Sequence, residues 1–239
     1  MNARLLLIAA ACAVLPLTQS AAQAADLHVR TSLTFSGALE ALIPGFEKAS
    51  GDKVFMVGAG GQAPDLMILT KASFEPLVKG GNVDAASVTD LATVRVGVAV
   101  VTGRPADFST PEKLKAALLA AKSVGVSGVA SGQYVTKELF PKLGIAEQMK
   151  AKTKTLRGQV GASVANAEVD LGFQQMSELL QVKAITVKRI PETLQTVTTL
   201  TGGLVTGSKS AETGRKFLAY IKSPAAAAAL KTMDIEAVK

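Results

Sequence analysis

Short apolar runs rich in β-branched residues alternate with segments of helical spacing along almost the whole chain. That alternation limits the fold more than any other feature. Leu27 to Thr31 reads as a strand, and Leu39, Leu42, Ile43 and Phe46 place a helix from about Ser36 to Ala49. Further strands are predicted over 53–57, 65–69, 95–101, 123–126, 169–173, 185–190 and 196–205. Helices fall between them, over 74–79, from Thr110-Pro111 onward, over 132–143 and over 162–167. Two more begin near Ser210 and at Ser223-Pro224. At Thr110-Pro111 a hydroxyl stands at the cap and proline at the first helical position, the arrangement that starts a helix without losing a hydrogen bond. Val96 to Val101 is apolar without alternation, as a strand buried on both faces must be. The expected architecture is α/β, with mostly parallel sheets flanked by helices. The number of units suggests two small sheets in two lobes. Arg95 to Val101 and Thr196 to Val205 are the segments able to cross between them. The first lobe would then comprise 25–95 and 193–239, and the second 96–192.

The N-terminus is a leader by its pattern. Asn2, Ala3 and Arg4 give a short basic start, Leu5 to Leu17 is an apolar run too short to span a bilayer, and Ala22-Gln23-Ala24 is a small-x-small cleavage site. Cleavage is expected after Ala24, and export follows from it. Cys12 is the one cysteine and leaves with the leader. The mature chain therefore has no disulfide, thiol nucleophile or thiolate metal site. Of the basic residues the leader carries Arg4 alone, so the mature net charge is one unit below the +7 of the full sequence. Those charges are scattered singly, with two Tyr and no Trp to stack on bases, which argues against a nucleic-acid partner. His28, the one histidine, lacks the partners a zinc site or a catalytic triad needs and reads as a strand residue. No metal and no cofactor are implied.

The candidate site lies where strands hand over to helices. Thr31, Ser32, Thr34 and Ser36 put four hydroxyls at the first such junction. In an open α/β sheet this end of a strand is where ligands bind, and the helix start adds unpaired N–H groups with partial positive charge. The alternative is ordinary capping by Thr34 or Ser36. The theme recurs in "VGAGG" at 57–61, in "SGVASGQY" at 127–134 with Ser127 and Ser131, and in "LRGQVGAS" at 156–163. No Walker lysine or dinucleotide fingerprint accompanies them. The pattern points to a small anion held by neutral donors.

Five stretches also resemble one family in its own order: "SLTFSGALEALIPGFEKASGDKV", "APDLMILTKASFEPLVKGGNV", "ASGQYVTKELFPKLGIAEQM", "VDLGFQQMSELL" and "SPAAAAALKTMDIE". The chain resembles the periplasmic molybdate-binding proteins, the solute-binding subunits of ABC importers. Within them it resembles a branch that includes aconitate isomerase. The resemblance implies a type II periplasmic binding fold and a monomer in the periplasm. It also implies an ABC permease as partner, with molybdate, tungstate or a di- or tricarboxylate held between the lobes. Carried over by position, the ligand-binding residues would be Thr31, Ser32, Gly60, Gly61, Ala130, Ser131, Val160 and Gln175. The chain departs from the family pattern in five places, two of them the segments near Val126 to Ser131 and Arg157 to Gly161, which look trimmed. Gln175 replaces a ligating tyrosine, Ala59-Gly60-Gly61 stands where a serine is usual, and Gln62 to Asp65 follows without the helix the family has there. Arg157 could pair with a carboxylate. A binding protein needs no catalytic residue; in an isomerase, Glu178 could serve as general base.

Overall fold

The computed structural model describes residues 24–238, so the expected leader up to Gln23, with Cys12, lies outside the described residues. The first part of the chain gives β1 (Asp26–Thr31), α1 (Leu33–Ser50), β2 (Lys53–Met56), β3 (Leu66–Thr70) and α2 (Lys71–Lys79). A long strand, β4 (Thr89–Val101), leads into α3 (Pro111–Ala120), β5 (Val124–Ser127) and α4 (Ala130–Tyr134). α4 runs through a π turn, Val135–Leu139, into α5 (Phe140–Lys142). Then come α6 (Ala146–Lys150), β6 (Thr153–Leu156), α7 (Val160–Ala165), β7 (Leu171–Gln175), α8 (Met176–Leu179) and β8 (Ile185–Arg189). The chain ends with β9 (Val197–Leu204), α9 (Ala211–Ile221), α10 (Pro224–Thr232) and β10 (Glu236–Ala237).

The strands join in the order β2-β1-β3-β9-β4-β7-β5-β6, with β8 and β10 also pairing with β4. The outer pairs are parallel: β1 with β2 and β3, and β5 with β6 and β7. The central pairs are antiparallel: β9 with β3 and β4, and β4 with β7, β8 and β10. The sheet is mixed rather than mostly parallel. The chain goes out along β4 and comes back into β9 beside it, so the strands at the crossing run in opposite senses. β4 begins at Thr89, six residues before the predicted start. Thr89 to Val94 has polar residues among its apolar ones, and only the unbroken apolar part was legible as a strand. β6 is half exposed and lacks an apolar run, which hides it from a periodicity argument.

β4 is shared by two cores. Thr89 to Arg95 pairs with β9, whereas Val96 to Val101 pairs with β7 and β8. One apolar cluster gathers β1, α1, β3, the start of β4, β9, α9 and α10; Leu27, Phe35, Leu39, Phe46, Leu66 and Phe217 are at its centre. Fully burying each such side chain stabilises the fold by about 1.5–3 kcal/mol. A second cluster gathers the end of β4, α3, β5, the helix through Phe140, β7 and Leu194. At the junction the backbone of Val96 has no strand neighbour on one side. The Gln195 carboxamide takes that place, accepting from Val96 N at 2.9 Å and donating to Val96 O at 3.0 Å. A buried peptide group left without such a partner would destabilise the crossing.

Candidate functional site

The carboxyl ends of β1, β5, β6 and β7, with the helix starts that follow them, surround a cavity of about 470 Å³. Ser32, Leu33 and Thr34 come from the β1–α1 junction, and Ser127, Gly128 and Val129 from the β5–α4 junction. Leu156, Arg157 and Gly158 follow β6, while Gln174 and Glu178 come from β7 and α8. These elements belong to both cores, so the cavity lies between them. Two other hollows lie away from these strand ends: one of about 370 Å³ beside α2, lined in part by Lys71, Glu75, Lys79 and Asp90, and one of about 570 Å³ beside the C-terminal tail, lined in part by Arg189, Lys222, Lys231, Asp234 and Glu236.

Ser32 occupies the N-cap position of α1 in extended conformation, φ −81° and ψ 165°. An N-cap hydroxyl ordinarily accepts from an N–H of the first turn. Here it does not, and Ser32 Oγ is buried without a hydrogen-bond partner among the described residues. The first turn of α1 also holds no acidic residue. α1 therefore begins at Leu33, three residues before the predicted start, with neither Thr34 nor Ser36 as its cap. Thr34 donates across the cavity floor to Glu178 Oε1 at 2.6 Å, and Ser36 donates to Leu33 O at 3.0 Å. The Thr31 hydroxyl donates to Ile68 O at 2.8 Å, which ties β1 to β3.

On the opposite wall, Ser127 and Ser131 share a hydrogen bond of 2.8 Å, and Ser127 Oγ also accepts from Gly132 N. A side chain at position 132 would collide with the Ser127 carbonyl, so glycine is required for α4 to sit so close to the strand end. Gln174 closes the floor, accepting from Val160 N at 2.8 Å and donating to Gly158 O at 3.1 Å. Arg157 is exposed at the rim.

Glu178 is the most unusual group. It is 3% exposed, yet among the described residues no cation pairs with it. Burial pushes its carboxyl above the usual glutamate range; hydrogen bonds from Thr34 and Gln174 pull it back only in part. The segment around Glu178 grips the first turn of α1. Ser177 donates to Thr34 O at 2.7 Å and Gln181 to Leu33 O at 3.3 Å.

Of the residues singled out from the sequence, Ser32 lines the cavity. So do Thr34, Ser127, Arg157 and Glu178, which had weaker claims. Thr31, Gly60, Gly61, Ala130, Ser131, Val160 and Gln175 do not. The Thr31 and Ser131 hydroxyls and the Val160 N–H have partners already. Gly60 and Gly61 lie in an exposed turn, Gly60 at φ +80°, and β3 follows β2 with no helix between them. Gln175 points to the other side of β7, where it donates to Thr198 at 2.9 Å. Strand alternation puts its neighbour Gln174 on the cavity side, and that alternation was the signal that could have found Gln174. His28 is a strand residue beside Asp65, at 3.1 Å, and stacks on Phe55. Among the described residues there is no cluster of three or more metal-ligating side chains and no helix long and apolar enough to cross a membrane.

A family model described as bacterial extracellular solute-binding protein matches residues 13–233. The chain belongs to this family. It is 33% identical over 230 residues to an aconitate isomerase from a Pseudomonas species, an alignment covering 89% of this chain and 88% of that protein. Among solved structures, a periplasmic molybdate-binding protein of Azotobacter vinelandii superposes with a TM-score of 0.72 at 18% identity, covering 89% of this chain and all of the other. The substrate-binding domain of a molybdenum ABC transporter from Clostridium difficile gives 0.70 at 17% identity, covering 90% of this chain and 100% of that one. The periplasmic binding fold expected from the sequence is thus the fold of the chain.

Proposed function

We propose that this solute-binding protein captures a small di- or tricarboxylate in the cavity and delivers it to the permease of an ABC importer. The residues 25–95 with 193–239 would act as one lobe and 96–192 as the other, closing on the ligand about β4 and the return segment near Gln195. The observation that carries this reading is Ser32 Oγ, buried and unpartnered among the described residues at the open start of an 18-residue helix, in a cavity lining that also includes Arg157. Three further points favour a carboxylate over molybdate. The volume is within the range of small-organic sites, roughly 300–1,000 Å³. Gln175 is turned away, and the 58–61 loop does not line the cavity. The 33% identical relative is named for a tricarboxylate.

A thermal-shift series with molybdate, tungstate, sulfate, citrate and both aconitates tests the reading. A ligand at a hundred times its Kd adds about 2.7 kcal/mol, or a rise of several degrees. Carboxylates are expected to give that rise. A rise with molybdate or tungstate alone would refute the choice of ligand.

Glu178 favours a second reading, an isomerase. In its ionised form the Glu178 carboxylate, made more basic by burial, can take a proton from a carbon beside a ligand carboxylate and, as the acid, return it at another carbon as the double bond shifts. Proton NMR of trans-aconitate incubated with the chain decides this. Conversion that is lost in Glu178→Gln supports the isomerase; no conversion leaves capture alone.

A further inference from the structure

We propose that Glu178 meets the bound anion as a neutral carboxylic acid, so that capture takes up a proton and Glu178 serves as a hydrogen-bond donor to the ligand. The proposal rests on the polycarboxylate reading above. Its geometric basis is the placement of a 3% exposed carboxyl in the lining of the same cavity as the open start of α1 and Arg157. An ionised carboxylate there would repel the ligand in a poorly solvated space. The neutral acid instead offers an O–H to a ligand carboxylate, and hydrogen bonds of that charge-assisted kind are short and strong.

The surroundings give Glu178 no other way to lose the conflict. Thr34 from α1 and Gln174 from β7 are its hydrogen-bonding neighbours, and neither carries a charge. The charged groups of the elements packed against α8 are Glu40, Glu47 and Lys48 on α1, Asp90 and Arg95 on β4, and Lys188 and Arg189 on β8. None of them is among the groups acting on the Glu178 carboxyl. In the cavity lining the other titratable side chain is Arg157, which is exposed at the rim. The carboxyl is already pushed upward by burial in the empty cavity, and an arriving anion adds a negative neighbour that pushes it further in the same direction. Between the empty-site and occupied-site values, binding must therefore draw a proton from solvent.

The test uses tricarballylate, a saturated tricarboxylate that cannot isomerise. Calorimetry at a series of pH values from the usual glutamate range upward, in buffers of different ionisation enthalpy, counts the protons taken up by the parent chain and by Glu178→Gln. The glutamine variant subtracts the ligand's own titration and keeps a donor in place. The expected result is an uptake of up to one proton more in the parent. Parent affinity should also fall by up to tenfold per pH unit on the alkaline side, with a flatter profile in Glu178→Gln. Binding with equal proton uptake in the two proteins overturns the proposal and leaves the polycarboxylate reading standing. No binding to either protein overturns both. Unfolding of the empty chain gives a separate check. A carboxyl whose folded pKa is raised contributes stability at low pH and loses it as pH rises through the folded value. The parent should therefore lose stability relative to Glu178→Gln above the usual glutamate range; parallel curves would count against the proposal.

Discussion

α1 and α3 both start at a hydroxyl residue in extended conformation, and they use it in opposite ways. Thr110 accepts from Lys113 N at 3.3 Å, Pro111 fills the first helical position and Glu112 adds a negative charge to the first turn. That is a helix start completed by its own sequence. Ser32 stands in the same position before α1, yet it makes no cap bond, its oxygen is buried without a partner and no acid follows it. The first helix start faces the cavity and the second does not. The difference teaches that an N-cap residue type alone does not distinguish a structural helix start from a binding one. The distinguishing mark is whether the hydroxyl and the first-turn dipole have been satisfied from within the chain.

Two substitutions set these helix starts against each other. The larger effect is expected from Ser32→Ala, which removes a donor to a charged ligand group. The loss is about 1.5–3 kcal/mol of binding, or roughly ten- to a hundredfold in Kd, measured by calorimetry with a tricarboxylate. Unfolding should be unaffected, because no cap bond is broken. Thr110→Ala should do the reverse. It should cost about 1 kcal/mol of stability in urea unfolding and leave Kd unchanged. If Ser32→Ala destabilises the chain and binds as tightly as the parent, Ser32 is an ordinary cap and the contrast between the two helices is false.

Much of the architecture was readable because it depends on local pattern. Thr110-Pro111 fixed the start of α3, and the unbroken run Val96 to Val101 identified a strand buried on both faces. The extension of β4 back to Thr89 was not readable, since its partner β9 lies about a hundred residues away and supplies the pairing. The start of α1 was misplaced for a related reason. Thr34 looks like a cap, but its hydroxyl is taken by Glu178, 144 residues further on. The candidate site was only partly legible. Hydroxyls and glycines at strand ends pointed to the end of the sheet where this cavity lies, and to Ser32 in its lining. Which of them are free depends on hydrogen bonds that the pattern does not show: Ser131 is held by Ser127 within its own junction, whereas Thr31 is held by Ile68 and Val160 by Gln174 from other segments. At Gln175 the resemblance to a ligating position was one residue away from the side chain that faces inward, and on a strand one residue reverses the face.

A crystal structure of the chain with bound tricarballylate tests the central claim most directly. The account predicts a ligand carboxylate oxygen within hydrogen-bond reach of Ser32 Oγ, about 2.5–3.0 Å, with Glu178 in contact with the same ligand. Ligand bound elsewhere, for instance at the exposed 58–61 turn, with the start of α1 left empty would contradict it.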